Sequence, residues 1–391
     1  MKKKLAIMPT AVFLCIVYVM AAVFVFTPDQ EFSSSEKRYL DKFPEANVNT
    51  VFSGEFENNF EHYFADQFPL RKLWVGINSY SKNFFGNFQS SERKTDETDT
   101  NNQSEPIYRC ADDYLINIPI PTDNQLQRNL SAITRIKEQT KLPVTVTFAP
   151  STGYIMDDVL PYIHEKYNDD AYFNTAAETL NKAGVKFVDL RERFKTEKNN
   201  GNQLYYRTDH HWTTYGAYTA YTELADALKY EAFPKSQYKI ESYGGFYGTT
   251  YSSSGFWLNR ADDIELWRNK DGEKKTLTIT EGSDKKSFDS LYFKDHLNED
   301  DKYPVFVDGN HAVETIVNKN VKSGKLLVVK DSFCHCLAPF LSDNFNTVTM
   351  VDMRYFKTNV ASFAEKGKYD SILVVYGIDN FAKDMDFVWA S

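Results

Sequence analysis

The sequence KLLVVKDSF, at residues 325–333, indicates the fold of this chain. Leu326–Val329 is apolar throughout, which is typical of a strand in a parallel sheet that is covered on both faces. Asp331 and Ser332 follow directly and precede a helical segment that ends near Leu341. A serine at such a turn lies at the carboxyl edge of the sheet, where helix N-terminal N–H groups can stabilise an oxyanion. The alternative is that Asp331 or Ser332 only caps the helix, because both residue types are favoured N-caps.

Similar short apolar runs recur along the chain after Pro106, separated by stretches with helical spacing. This alternation predicts an α/β fold with a mostly parallel sheet and helices on both faces. Between about residues 236 and 320 the chain is richer in glycine, serine and charge, so we expect an insertion or rim with hairpins there. The other strand candidates are Val144–Phe148, Val185–Leu190, Thr347–Val351 and Ile372–Val375, and the helix candidates are Asp170–Lys182, Thr214–Leu228 and a short helix after Asp331.

The composition is that of a folded, acidic protein. Of 391 residues, 42% are hydrophobic and 15% are aromatic, which excludes global disorder. The formal net charge of −9 repels phosphate backbones, so nucleic acid is not an expected partner. Carbohydrate or another neutral ligand remains open.

The N-terminus carries a segment that is long enough to cross a bilayer. Leu5–Phe26 contains 22 residues without a charge, which is about 33 Å of helix. Three lysines precede it and the acids Asp29, Glu31 and Glu36 follow it, which predicts a cytoplasmic N-terminus and an extracytoplasmic remainder. A cleaved signal peptide is the alternative, but its apolar region is normally shorter. We therefore expect an uncleaved anchor.

The chain is expected to contain four parts in sequence order. These are a signal-anchor at 1–27, a membrane-proximal helical segment at 28–88, a polar linker at 89–105 and a catalytic-size domain at 106–391. Three cysteines lie outside the apolar segment, namely Cys110, Cys334 and Cys336. A bridge from Cys110 to either of the others is left open, because its geometry demands close Cα atoms.

A second polar signal, TDHHWT at residues 208–213, stands immediately before the helix candidate at 214–228. Asp209, two residues before His211, can accept the Nδ1–H of that imidazole and leave Nε2 free as a general base. With Ser332, the pair would supply nucleophile, base and orienting acid. The alternative is that Asp209 or Thr208 caps the helix and the histidines only occupy a polar loop.

This sequence resembles the DHHW family, which is similar to the AlgJ/AlgX-type polysaccharide O-acetyltransferases with an SGNH-hydrolase-like fold. The resemblance implies Ser332 as nucleophile, His211 as base and Asp209 as orienting acid. His210 takes the variable position of the Asp-x-His-Trp motif and is expected to be auxiliary; the reverse assignment of the two histidines is the alternative. The motifs that carry the resemblance are TDHHWT, SEKRYL at 35–40, DQFPLR at 66–71, DSF at 331–333 and VDMR at 351–354.

Donors for an oxyanion are less clearly marked. The Ser332 N–H is the first candidate, and the resemblance implies Arg354 as a second, although an ion pair with Asp352 explains that arginine equally well. The end of the last strand candidate places Tyr376 or Asn380 at the same sheet edge. No cofactor and no metal are expected.

The resemblance implies an extracytoplasmic, membrane-anchored O-acetyltransferase that modifies a cell-envelope or secreted polysaccharide. A multipass membrane O-acyltransferase is the implied acetyl donor. An acetylesterase with the same triad differs only in using water as acceptor. A metal-dependent hydrolase using Asp209, His210 and His211 would need further ligands, since adjacent histidines are expected to point apart. A non-catalytic protein for glycan binding or envelope assembly is the remaining alternative.

Overall fold

The computed structural model describes residues 2–33, 36–84, 106–119, 124–272 and 274–391. The linker expected at 89–105 lies outside these residues. The chain divides into two units. The first contains Met1–Ser91 with Ser252–Trp257, and the second contains Glu92–Tyr251 with Leu258–Ser391.

The first unit is mainly helical. Pro9–Phe26 of its first helix has a mean hydropathy of 2.4 and could cross a membrane by length and composition, a test that a signal sequence also passes. Gly54, with φ of 81°, ends one helix and precedes the next. The elements are α1 (Lys2–Phe26), β1 (Phe32–Ser33), β2 (Arg38–Tyr39), α2 (Val48–Ser53), α3 (Glu55–Gln67) and α4 (Arg71–Phe84).

An ion-pair network explains two of the N-terminal motifs. The guanidinium of Arg38 donates to both carboxylate oxygens of Asp66 at 2.7 Å. Glu36 accepts from Arg38 and from Arg71, each at 2.8 Å. Because Asp66 is buried on α3, the bidentate pair fixes the segment around β2 to that helix.

The second unit contains a central sheet, two smaller strand pairs and the remaining helices. Its elements are β3 (Ile107–Arg109), β4 (Leu115–Asn117), α5 (Gln125–Thr140), β5 (Val144–Ala149), α6 (Thr152–Ile155), α7 (Asp169–Lys182), β6 (Lys186–Asp189), α8 (Arg191–Asn199), α9 (Thr214–Leu228), β7 (Tyr238–Phe246), α10 (Thr249–Ser254, whose last three residues belong to the first unit), β8 (Asp262–Asn269), β9 (Lys275–Glu281), β10 (Asp284–Phe288), β11 (Val313–Asn318), β12 (Lys325–Lys330), α11 (Ala338–Leu341), β13 (Thr347–Asp352), α12 (Val360–Gly367), β14 (Ser371–Gly377) and α13 (Ile378–Lys383).

The central sheet has eight strands in the order β10-β9-β11-β13-β12-β14-β5-β6. The strands from β13 to β6 pair in parallel, and those from β10 to β13 pair antiparallel. The predicted α/β fold with a mostly parallel sheet is confirmed. The region expected as an insertion supplies β9, β10 and β11 to this sheet, and its other pair, β7 and β8, forms a separate two-stranded sheet.

Alternation along the parallel strands builds a core on each face of the sheet. On β12, Leu326 and Val328 belong to one apolar cluster, which also contains residues of α8, α9 and α11. Leu327 and Val329 belong to the other, which contains residues of α5, α7 and α12. All four are fully buried, and each such side chain contributes about 1.5–3 kcal/mol. Helices therefore cover both faces, as expected.

The parallel strands bring the polar segments together at one edge. Because their carboxyl ends meet there, the residues after β12, β14, β5 and β13 are neighbours. These are Asp331-Ser332, Ile378–Asn380, Pro150-Ser151 and Met353-Arg354. The four cysteines are all free, so no bridge joins Cys110 to Cys334 or Cys336.

Candidate active site

The turn after β12 holds Ser332 in a fixed position. Asp331 is the N-cap of a 3-10 turn, and its Oδ1 accepts the Phe333 N–H at 3.0 Å. Its Oδ2 accepts from the Gly377 N–H and from Asn380 Nδ2, both at 2.9 Å. Asp331 thus performs the capping, and the Ser332 hydroxyl, on a residue that is 9% exposed, is free for other contacts.

The N-cap of α9 is a residue other than the two that were expected to cap this helix. Thr213 is the N-cap, since its Oγ1 accepts the Gly216 N–H at 3.1 Å. The expectation that Asp209 or Thr208 would cap α9 is therefore wrong. The indole N–H of Trp212 donates to the Phe333 carbonyl at 2.9 Å, which ties this loop to the turn that carries Ser332.

His211 joins the two segments. Its Nε2 lies 2.7 Å from Ser332 Oγ, and its Nδ1 lies 2.5 Å from Asp209 Oδ1. The backbone N–H of His211 also donates to Asp209 Oδ1, at 2.9 Å. All three side chains are largely buried. This is the arrangement in which a carboxylate fixes the tautomer of an imidazole whose other nitrogen faces a hydroxyl.

Thr249 holds the carboxylate of Asp209 by hydrogen bonds, and Gly248 leaves space for it. The N–H and hydroxyl of Thr249 donate to Asp209 Oδ2 at 2.8 and 3.1 Å. A Cβ at Gly248 would lie 2.1 Å from Asp209 Cβ, so only glycine permits this approach. The one signal in the sequence was the glycine-rich run at 244–248, which by itself indicates only turns.

Electrostatics keep this group of side chains in defined charge states. Burial raises the pKa of Asp209, but the neighbouring His211 and His210 outweigh it and hold that pKa well below its usual range. Burial, with repulsion from His211, lowers the pKa of His210 to about 3. His210 is therefore neutral at physiological pH, and Asp209 is a carboxylate.

Comparison with known proteins identifies a family and a fold to which this chain is similar. The model of the DHHW protein family matches residues 177–351. The resemblance to the DHHW family is confirmed. A DHHW family protein from Eubacterium siraeum matches with a TM-score of 0.62 and 22% identity, over 77% of this chain and 97% of that chain. Bacillus cereus PatB1, solved with a sulfonyl adduct, matches with a TM-score of 0.60 and 18% identity, over 73% of this chain and 98% of that chain.

The O-acetyltransferase domain of Pseudomonas putida AlgJ matches with a TM-score of 0.45 and 14% identity, over 71% of this chain and 92% of that chain. No curated protein sequence matches this chain. At these identities, the E. siraeum and PatB1 structures establish the fold.

The other residues predicted for the site divide into two pairs. His210 of the DHHW motif and Asn380 line a cleft whose wall also contains Phe333, the residue after Ser332. Tyr376 does not reach the cleft, because it belongs to the apolar cluster on the opposite face of the sheet and packs against Phe381 and Phe387. Arg354 forms the ion pair that was its alternative explanation, with its Nη2 2.6 Å from Asp352 Oδ2.

The cleft has an empty volume of about 490 Å³ including its open mouth, and Ser151 lies on its wall. The Ser151 hydroxyl is 2.7 Å from Asp169 Oδ2 and 2.9 Å from Asp379 Oδ1. One hydroxyl proton cannot serve two carboxylates. Burial and the charge of Asp379 raise the pKa of Asp169 to about 7, so a protonated Asp169 supplies the missing donor near neutral pH.

The three residues at the start of the DHHW motif could also approach a metal ion. Their ligand atoms all lie within 4.8 Å of one another, and the rings of His210 and His211 are 3.9 Å apart. The expectation that adjacent histidines point apart is therefore wrong here. An ion would nevertheless have to displace the hydrogen bonds of His211 to Asp209 and Ser332, which already occupy both of its ring nitrogens.

Proposed function

We propose that this chain is an extracytoplasmic polysaccharide O-acetyltransferase that works through a serine ester. The observation that carries the proposal is the contact of His211 with both Asp209 and Ser332 at hydrogen-bond distance. The likeness to the DHHW family and to AlgJ, named an O-acetyltransferase, agrees with this function. The apolar helix α1 agrees with an extracytoplasmic enzyme held at the membrane.

The geometry supports a two-step transfer. His211 Nε2 removes the proton from Ser332 Oγ as that oxygen attacks the acetyl carbonyl. The tetrahedral intermediate then expels the donor oxygen, which takes the proton from His211, and an acetyl-serine remains. In the second step a sugar hydroxyl gives its proton to His211 and attacks the ester carbonyl. The resulting intermediate expels Ser332 Oγ, which takes the proton back from His211, and the acetylated sugar leaves. Asp209 stabilises the imidazolium in both steps without accepting its proton.

We assign two groups to the developing oxyanion. The Ser332 N–H stands at the first position of its turn, where backbone donors have no partner within the helix. Asn380 donates one amide hydrogen to Asp331, and its second hydrogen is available on the cleft side. Two such donors together are the usual complement of an oxyanion hole.

The acceptor is proposed to bind in the cleft beside Ser332. Its wall carries hydroxyl, amide, carboxylate and ammonium groups, among them Asn117, Ser151, Asp379 and Lys383. Such a mixture suits the hydroxyls of a sugar better than an apolar ester chain. A multipass membrane O-acyltransferase is the proposed source of acetyl groups.

The proposal is tested on the full chain in detergent with an aryl acetate and an oligosaccharide. Acetyl recovered on sugar by mass spectrometry supports a transferase, whereas acetate alone supports the esterase. A sulfonyl fluoride should modify Ser332, by analogy with the adduct in PatB1, and the adduct should be absent from Ser332→Ala. Ser342→Ala is a matched control, because Ser342 is buried and its hydroxyl donates to the nearby Pro339 carbonyl. If the wild-type protein forms no adduct and releases no acetyl group, the proposal fails and the non-catalytic alternative remains.

A further inference from the structure

The imidazole of His211 lies between two other rings. On one side the ring of His210 is 3.9 Å away at an interplanar angle of 37°. On the other side the ring of Tyr303 is 4.0 Å away and nearly parallel, at 10°. Tyr303 is more than 90 residues from the DHHW motif, and no motif in the sequence marks it.

Tyr303 also contacts the segment that carries the nucleophile. Its hydroxyl donates to the Ser332 carbonyl at 3.2 Å and lies 3.5 Å from Cys336 Sγ. The side chain is buried, and Phe306 packs against its ring at 5.5 Å. One side chain therefore touches both His211 and the Ser332 turn.

The loop that presents Tyr303 is held under strain. Val307 and Asp308 have φ values of 52° and 66°, a conformation that β-branched valine rarely adopts. His296 Nε2 lies 2.8 Å from Asp308 Oδ1, and His311 Nε2 lies 3.1 Å from the Asp308 carbonyl. Such strain persists only where the surroundings fix the loop, so Tyr303 is presented to His211 in one position.

We propose that Tyr303 is a positioning residue that holds the His211 ring in line with Ser332 and stabilises its protonated form through the aromatic face. The proposal rests on the proposed acyl-transfer function. A cation stacked on an aromatic ring is attracted to its face, and His211 becomes a cation whenever it takes the serine proton. Because His210 stays neutral on the other side, it does not repel that charge.

Several charged or titratable groups surround His211 and must be considered in any pH measurement. Asp209 and His210 contact it from its own loop, and Ser332 and Tyr303 from the facing segments. Behind Tyr303 stands His335, with a ring-to-ring distance of 6.0 Å. Arg354 and Lys383 act on His210 through their charges. The test variants change Tyr303 and leave all of these other groups in place.

The test measures the rate at which a sulfonyl fluoride modifies Ser332, across pH, in the full chain. Tyr303→Phe keeps the ring and should react within about threefold of wild type. Tyr303→Leu removes the ring and should react roughly 2- to 30-fold more slowly. The midpoint of its rate–pH curve should lie about 0.3–1.5 units lower, because the imidazolium has lost its stacked partner. Tyr303→Met, which fills space flexibly, replaces Tyr303→Leu if that variant does not fold.

Phe306→Leu is the matched control. It removes an aromatic ring from the same loop, and Phe306 packs against Tyr303. The midpoint of the rate–pH curve of Phe306→Leu should stay at the wild-type pH. The inference is overturned if Tyr303→Leu keeps the wild-type rate and midpoint, or if Phe306→Leu shifts the midpoint equally. If wild-type Ser332 is not modified at all, the proposed function itself fails and this inference with it.

Discussion

Replacing Lys330 with methionine should destabilise the second unit severely. Lys330 ends β12 two residues before Ser332, and both it and Glu314 are 0% exposed. Its Nζ lies 3.0 Å from Glu314 Oε2, 3.6 Å from Asp352 Oδ2 and 2.7 Å from His335 Nε2. Methionine fills a similar volume, so the main loss is the charge.

The magnitude follows from what the substitution leaves behind. Removing one partner of a buried ion pair typically costs about 3–5 kcal/mol, since the other charge remains uncompensated. Asp352 keeps its pair with Arg354, but Glu314 keeps no ion-pair partner among the described residues. For a unit this large, about 1.5–2 °C is lost per kcal/mol, so the melting temperature should fall by roughly 5–10 °C.

The loss should depend on pH. Burial already raises the pKa of Glu314, and Lys330 opposes that shift. Without Lys330 the folded-state pKa rises further above the unfolded value of about 4.3. A folded state that binds an extra proton loses stability as pH rises through this interval. The free energy of unfolding that Lys330→Met loses relative to wild type should therefore be larger at pH 8 than at pH 5.

Urea unfolding followed by circular dichroism measures both effects. The double variant Lys330→Met/Glu314→Leu is the control, because an apolar pair in place of a buried ion pair is often neutral or stabilising. It should recover most of the lost free energy and most of the pH dependence. A loss below about 1 kcal/mol, or a double variant less stable than the single one, would refute the reasoning.

Substitutions at three other positions have more specific expected effects. Asp209→Asn should slow sulfonylation of Ser332 roughly 10³-fold or more with the fold retained by circular dichroism; a smaller loss would remove Asp209 as orienting acid. Tyr376→Phe removes a buried hydroxyl without a hydrogen-bond partner among the described residues, so stability should be unchanged or rise and labelling should be unaffected. The pKa of Asp169 is raised to about 7 by burial and by Asp379. The wild-type protein should therefore become less stable as the pH rises from about 4 to about 7. In Asp169→Asn, the urea midpoint should not fall in this way between pH 5 and pH 8. An equal fall of the midpoint in both proteins would contradict the prediction.

The parallel half of the fold could be predicted from sequence because its strands are apolar on both faces. Ile372–Val375 and Val144–Phe148 were recognisable as uniform apolar runs, and the observed strands extend them by at most two residues at either end. β9, β10 and β11 were not recognised, because they lie at the antiparallel end of the sheet and mix Thr and charged residues with apolar ones. Strands of such mixed composition resemble loops.

The site was predictable where its chemistry is concentrated in short motifs. Asp209, His211 and Ser332 each stand in a recognisable string, whereas Thr249 and Tyr303 reach the same place from segments that no motif marks. The predicted position of Tyr376 at the site differs from the structure for another reason. Side chains alternate along a strand, and Tyr376 shares its face of β14 with Ile372 and Val374, but the sequence did not indicate which face would carry the cleft.

The tryptophan of the DHHW motif accounts for the convergence of the distant motifs. Parallel pairing brings Ser332 to the sheet edge, yet nothing in that pairing positions the loop that carries His211. Trp212 does so, because its indole donates to the carbonyl next to Ser332 and its ring packs edge-on against Phe333 at 5.5 Å. Since Trp212 is fully buried, its indole N–H must find a partner. The Phe333 carbonyl provides one in the same arrangement that brings Nε2 of the preceding histidine to Ser332. The motif therefore encodes both the proposed base and the contact that sets its distance from the proposed nucleophile.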